Sequence, residues 1–195
     1  MVVRPTPRAA GGTRRALLRT GGAGFAAGGA ILLGACGGRG SRPRVDTIPL
    51  PARAADVELL NQALEREHKA IAAYTAVIPL LSGGAQMAAM HFLDQELSHA
   101  GELSGLVKQA GGTAGKPAPS YDLGRPRTHQ DLLGLLHTLE REQIVGYLHA
   151  IPILSPGPVR AALAAILGND AQHVSVLRLA LGLDPAPSPF VTGAE

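Results

Sequence analysis

The sequence predicts an all-α fold, a four-helix bundle made of two tandem helix hairpins joined by one long crossover. Apolar residues recur at helical spacing in four blocks, and clusters of Gly, Pro and Ser separate the blocks. The second pair of blocks repeats the first, and no segment alternates as a half-buried strand would. These observations favour two copies of one hairpin packed into a single bundle. The blocks cover residues 56–81, 84–110, 129–154 and 158–183.

Three short motifs carry the internal repeat, and each returns at a nearly constant separation along the chain. Two copies of a hairpin suffice for a bundle, whereas a solenoid needs at least three units. In chain order, Leu64–Glu67 returns as Leu139–Glu142, Ile78–Ser82 returns as Ile151–Ser155, and Glu96-x-x-His99 returns as Asp170-x-x-His173.

The segment between the two hairpins, about residues 111–128, is rich in Gly and Pro and too long for a tight antiparallel turn. Fully extended, about 18 residues reach roughly 60 Å, whereas a helix of about 26 residues is roughly 39 Å long. The segment can therefore run the whole length of the bundle, as a single crossover requires.

Residues 1–35 have the layout of an export signal, because five arginines and no acidic residue precede an uncharged apolar stretch. Arg14 and Arg15 lie in a sequence that resembles the twin-arginine export motif, and Leu33–Cys36 resembles the lipobox of bacterial lipoproteins. The sequence thus predicts an exported lipoprotein that uses the twin-arginine machinery and is anchored to the cell membrane through a lipid on Cys36. A retained transmembrane anchor is the alternative.

The net charge of +3 comes from the amino-terminal part of the chain. From Asp56 onward nine basic residues face 14 acidic ones, so we expect no nucleic-acid partner. A single Cys excludes an intramolecular disulfide. We divide the chain into an export signal (1–35), a flexible tether (36–55), the bundle (56–184) and a carboxy-terminal tail (185–195).

Four acidic residues interrupt apolar helix faces, because the residues three, four and seven positions away from them are mostly apolar. Each lies 13 to 15 residues from a hairpin turn at Ser82 or Ser155, so all four share one level of the bundle. Two histidines follow at helical spacing. We therefore predict that one buried layer holds Glu67, Glu96, Glu142, Asp170, His99 and His173.

Four buried carboxylates cannot all stay ionised without compensation, and two divalent cations would neutralise them. The set has no thiolate, which argues against iron–sulfur and structural zinc sites. Oxygen-rich ligands with imidazole suit iron, with manganese or zinc as alternatives. The other interpretation is a polar layer that shares protons, or a site that has decayed after losing its metal.

With these residues, the chain resembles the ferritin-like superfamily, the di-iron carboxylate four-helix bundles, over about residues 56–183. In that class two helices each give one Glu and the other two each give Glu-x-x-His. The resemblance implies single-Glu ligands at Glu67 and Glu142, and pairs at Glu96/His99 and Asp170/His173. Asp170 departs from the usual Glu. More narrowly, the chain is similar to exported bacterial ferritin-like domain proteins.

Tyr74 and His149 lie seven residues after Glu67 and Glu142, and we predict that they hydrogen-bond the ligands; filling the core is the alternative. The functional hypothesis is an extracytoplasmic, membrane-tethered protein with a di-metal centre that oxidises Fe(II) or reduces dioxygen or peroxide. A metal-binding protein without turnover and an interaction module of the cell envelope are the alternatives. Enzymatic activity and oligomeric state stay open at this point.

Overall fold

The computed structural model describes residues 53–155 and 157–195. These residues form four α-helices and no strand, so the all-α prediction is confirmed. The predicted export signal, Arg14, Arg15 and Cys36 lie outside the described residues, as does most of the predicted tether. The helices are α1 (Asp56–Val77), α2 (Gly83–Gln109), α3 (His129–Ala150) and α4 (Pro158–Ala180), with a short 3-10 helix (Ile78–Leu80) after α1.

The helix ends follow from local sequence signals. Pro79 has no N–H to donate, and α1 gives way to the 3-10 helix just before it. Thr128 and Asp131 form a reciprocal capping box at the start of α3, in which each side chain accepts a hydrogen bond from the other's backbone N–H. Gly157, at a φ of 94°, makes the turn before α4, and Pro158 occupies the first turn of that helix.

The chain runs up α1, down α2, back along the bundle through the crossover, and then through the second hairpin. Asn61 on α1 fixes the first part of the crossover, because its side chain donates to the carbonyl of Thr113 at 3.1 Å and accepts from the N–H of Gly115 at 2.8 Å. Leu123, later in the crossover, packs against the cluster at the other end of the bundle. The predicted long crossover is confirmed.

The start of α1 is tied to the turn between α3 and α4. The carboxylate of Asp56, 3% exposed, accepts hydrogen bonds from the N–H of Ser155 at 2.9 Å and of Arg53 at 2.8 Å. Burial raises the pKa of Asp56, but the hydrogen bonds from Ser155 and Arg53 and the positive charge of Arg53 together lower it by more, and the net shift is downward. The ionised side chain therefore holds the two hairpins together at this end.

Two apolar clusters fill the bundle, one toward each end. The first includes Leu60, Leu103 and Leu163, and the second includes Phe92 and Leu136. Each fully buried leucine contributes about 1.5–3 kcal/mol, so the clusters hold the four helices at fixed spacing. Among the described residues, no helix is long and apolar enough to cross a membrane.

Candidate metal centre

A layer of carboxylates and imidazoles crosses the bundle between the two apolar clusters, and all four helices contribute to it. The ligand atoms of Glu96, Glu140, Asp170 and His173 lie within 4.8 Å of one another, and the same holds for those of Glu67, Glu96 and His99. We call these sets the four-residue position and the three-residue position. Glu96 belongs to both, so the layer offers two adjoining cation positions with a shared carboxylate.

The four-residue position is closed to solvent. The Nδ1 atom of His173 lies 3.2 Å from carboxylate oxygens of both Glu96 and Glu140. Its Nε2 lies 2.7 Å from Oε1 of Gln95, and the ring of Phe92 stacks on the imidazole with centroids 4.0 Å apart. A hydrogen bond from Nε2 to Gln95 leaves the lone pair of Nδ1 aimed at the carboxylates, as a metal ligand requires.

The three-residue position is built around His99. Its Nδ1 atom lies 3.7 Å from Glu67, 3.8 Å from Glu96 and 3.5 Å from Asp170. The His99 side chain is 11% exposed, whereas the carboxylates facing it are 0% exposed. His99 therefore faces the interior with one nitrogen and borders the protein surface.

Two tyrosines and a glutamine orient the carboxylates. Tyr74 on α1 donates a hydrogen bond to Glu140 on α3, and Tyr147 on α3 donates one to Glu67 on α1. Burial and the facing carboxylate raise the pKa of both hydroxyls well above 10.0, so they stay protonated donors at neutral pH. Gln143 donates to Glu96 at 2.9 Å.

The layer strongly disfavours uncompensated negative charge. Burial raises the pKa of Glu96 well above its usual 4.5, and the neighbouring Glu140 and Glu67 raise it further. The same causes, in the same order, raise the pKa of Asp170. At neutral pH these carboxyls therefore either take up protons or share a cation.

Several buried ligand atoms have no hydrogen-bond partner among the described residues. An unpaired buried oxygen costs about 1–3 kcal/mol, so this number of them in one layer indicates that something else satisfies them. Carboxylate oxygens with imidazole nitrogen and no thiolate fit iron or manganese. The unpartnered atoms are Oε2 of Glu67, Oε1 of Glu96, Nδ1 of His99, Oε2 of Glu140 and both carboxylate oxygens of Asp170.

The prediction that Glu142 points into the layer is wrong. Its side chain is 55% exposed and lies 3.3 Å from the ammonium group of Lys69 on the bundle surface. Glu140, which is fully buried, occupies the inward position on α3 instead. Residues two positions apart on a helix point about 200° apart, so only one of these two glutamates can face the centre.

The prediction for His149 is wrong for the same reason, because it is exposed on α3 close to the face of Glu142. Tyr147, seven residues after Glu140, contacts the layer in its place. Tyr74 does lie in the layer, but it hydrogen-bonds Glu140 across the bundle. Aligning the two hairpins on their Ile-Pro motifs pairs Glu67 with Glu140 and Tyr74 with Tyr147.

The remaining predicted residues are brought together as expected from the sequence. Glu67, Glu96, Asp170 and His173 are all 0% exposed, and His99 joins them from the surface side. Gln95 and Gln143 were not predicted, because a glutamine at a helix position carries no signal of its role until its facing helix is known.

The family model described as Ferritin-like domain matches residues 55–183. Among solved structures, a conserved hypothetical protein from Mycobacterium tuberculosis is similar at 22% identity, over 70% of this chain and 97% of that one, with a TM-score of 0.64. A ferritin-like, diiron-carboxylate protein from Bacillus anthracis str. Ames is similar at 20% identity, over 65% of this chain and 95% of that one, with a TM-score of 0.54. No protein with a curated description matches the sequence.

Proposed function

The chain belongs to the ferritin-like domain family, and on that premise we propose that its buried layer binds two divalent cations, iron in first place. The observation that carries the proposal is the shared Glu96, whose carboxylate adjoins both cation positions. With four carboxylates and two neutral imidazoles, two divalent cations bring the formal charge of the layer to zero. Manganese and zinc are the competing occupants.

Metal analysis of the folded protein tests this proposal. After reconstitution with Fe(II) without oxygen, we expect two ions per chain, and a melting temperature that rises with free metal concentration because the cations bind only the folded state. Glu96→Gln removes the shared charge and should lower the stoichiometry, whereas Glu65→Gln, exposed on α1, should not. Absence of bound metal in the wild type, with melting unchanged by Fe(II) or Mn(II), would contradict the proposal.

We further propose that the centre oxidises Fe(II) with peroxide or dioxygen. With peroxide the step is balanced when two Fe(II) ions each lose one electron and H₂O₂ takes two electrons and two protons to give two waters. The metal supplies the redox chemistry. The chain's own residues hold it: the carboxylates fix the two positions, while Tyr74 and Tyr147 keep two of them oriented.

Peroxide consumption separates turnover from binding alone. We expect wild-type protein to consume one H₂O₂ for every two Fe(II) ions, faster than Fe(II) in buffer, and we expect Glu96→Gln to lose this acceleration. A wild-type rate no faster than that of Fe(II) in buffer, with two metals still bound to the wild type, would leave the second candidate, a metal-binding protein without turnover. The closed surroundings of His173, whose side chain is 1% exposed, favour retention of metal in that case.

For the amino-terminal part, we propose export by the twin-arginine route and a lipid anchor at Cys36. The arginine pair and the lipobox-like sequence support this. In a bacterial host, Arg14→Lys with Arg15→Lys should leave the protein in the cytoplasm. Cys36→Ser should release it from the membrane fraction. A Cys36→Ser protein that stays membrane-bound would favour a retained transmembrane anchor.

A further inference from the structure

The two cation positions differ in how they meet the surface. His173 is covered by Gln95 and by the stacked ring of Phe92. In the internal repeat, which pairs His99 with His173, the counterpart of Phe92 is Ile166, and Ile166 lies beside His99. The place that a phenyl ring fills beside His173 is therefore filled by an aliphatic side chain beside His99.

A groove between α2 and α4 reaches the three-residue position. It is lined by Ser98, His99 and Glu102 from α2 and by Ala162, Ala165 and Ile166 from α4. Its volume is about 370 Å³. The groove is open to solvent, so a hydrated cation can approach the imidazole of His99 from outside.

The charge of the groove favours a cation. Glu102 is exposed at its rim, one helical turn from His99, and no Lys or Arg of the described part of the chain lines the groove. Small alanines on α4 leave the path beside the imidazole open. The next ligand atoms inward are those of Glu67, Glu96 and Asp170, which lie 3.5–3.8 Å from Nδ1 of His99.

We propose that divalent cations reach and leave the centre through this groove, past Glu102 and His99, so that the three-residue position is the exchangeable one. This inference rests on the proposed di-metal function. The four-residue position, which has one more ligand and whose His173 side chain is 1% exposed, retains its ion. A substrate cation thus arrives at one position while a resident cation stays in the other.

Co²⁺ loading tests the route, because its absorbance reports binding without any turnover. Ala165→Trp should fill the groove and slow loading at least about tenfold, since close-packed side chains exclude an ion, while the final stoichiometry stays at two. Ala164→Trp is the matched control, because Ala164 is exposed on α4 but does not line the groove. Equal loading rates in the two tryptophan variants would overturn the route.

Release of Co²⁺ into excess EDTA tests the exchangeable position. We expect one ion to leave in a fast phase and one in a slow phase, with only the fast phase slowed in Ala165→Trp. Release of both ions in a single phase would overturn the inference while leaving the di-metal function intact. Failure of the wild type to bind Co²⁺, Fe(II) or Mn(II) would instead remove the proposed function itself.

Glu102→Gln tests the same route without a bulky substitution. The Glu102 side chain is exposed, so replacing it removes a charge without altering the packing. Loading should slow about two- to fivefold at low salt, and the difference should vanish at high salt, because the effect is electrostatic steering. Asp94→Asn, exposed on the same helix but outside the groove, is the control. An equal effect of both variants would show that Glu102 has no special place on the path.

Discussion

The hydroxyl of Tyr147 on α3 donates a hydrogen bond to Glu67 on α1, and the same contact runs in reverse from Tyr74 to Glu140. The internal repeat relates the two contacts, because Glu140 and Tyr147 hold the places in the second hairpin that Glu67 and Tyr74 hold in the first. Helices α1 and α3 thus each place one carboxylate in the layer. Each also supplies the hydroxyl that donates a hydrogen bond to the carboxylate of the other helix. The paired contacts fix both the ligands and the register of α1 against α3.

Tyr147→Phe should destabilise the metal-free protein, because the buried carboxylate of Glu67 loses its donor. We expect the free energy of unfolding in urea to fall by about 1–3 kcal/mol, with the m-value unchanged. Tyr121→Phe removes the acceptor of the Ala118 N–H in the partly exposed crossover and should cost at most about 1 kcal/mol. Equal stability of the two variants would mean that the buried hydroxyl contributes no more than the partly exposed one.

Glu140→Gln and Glu142→Gln form the sharpest pair of variants for the centre, because the two residues lie in the same tetrapeptide. Glu140 is buried beside His173, and Glu142 is exposed beside Lys69. We expect metal titration of Glu140→Gln to give one ion per chain in place of two, and that of Glu142→Gln to match wild type. One ion per chain in Glu142→Gln, with two in Glu140→Gln, would instead identify Glu142 as the ligand, as predicted from the sequence.

The fold and most of the layer could be predicted because periodicity and burial are local properties. The stripes around Glu67, Glu96 and Asp170 identify the inward face whatever helix packs against them. The face of α3 was ambiguous, since the tetrapeptide Leu139–Glu142 offers two glutamates on opposite sides. Matching it to Leu64–Glu67 letter by letter selected the wrong one.

Distance to the turn resolves that ambiguity. Glu67 lies 15 residues before Ser82, and Glu140 lies 15 residues before Ser155, whereas Glu142 lies 13 before it. The Ile-Pro motif is a better anchor than the glutamates, because proline fixes where the helix gives way to the turn. Gln95 and Gln143 had no such signal, since their roles depend on helices packed against them.

Asp56 should make stability depend on acid pH. Because its pKa is lowered in the folded protein, its contribution is present above the unfolded value of about 3.8 and is lost as pH falls through the folded value. Asp56→Ala should cost about 1.5–3 kcal/mol at pH 7, and the difference from wild type should shrink below about pH 4.

Chemical unfolding of both proteins between pH 3 and pH 7 measures this dependence. Titration of the buried layer affects both proteins equally, so it cancels in the difference between their free energies of unfolding. Asp94→Asn, exposed on α2, should follow wild type within about 0.5 kcal/mol at every pH. A difference between Asp56→Ala and wild type that stays constant down to pH 3 would contradict the ionised contact with Ser155 and Arg53.

Gln95→Leu should weaken the four-residue position without removing any ligand. Its amide oxygen faces Nε2 of His173, so its loss frees the imidazole to rotate or to carry its proton on Nδ1. We expect the affinity for the more tightly bound Co²⁺ to fall about 10- to 100-fold, as for other partners of metal-bound histidines.

Gln95→Glu keeps an acceptor and should recover most of the affinity. Ser98→Ala, which lies beside His99, should leave that affinity unchanged. If Gln95→Leu instead weakened only the second, exchangeable ion, the assignment of the tight position to His173 would be wrong.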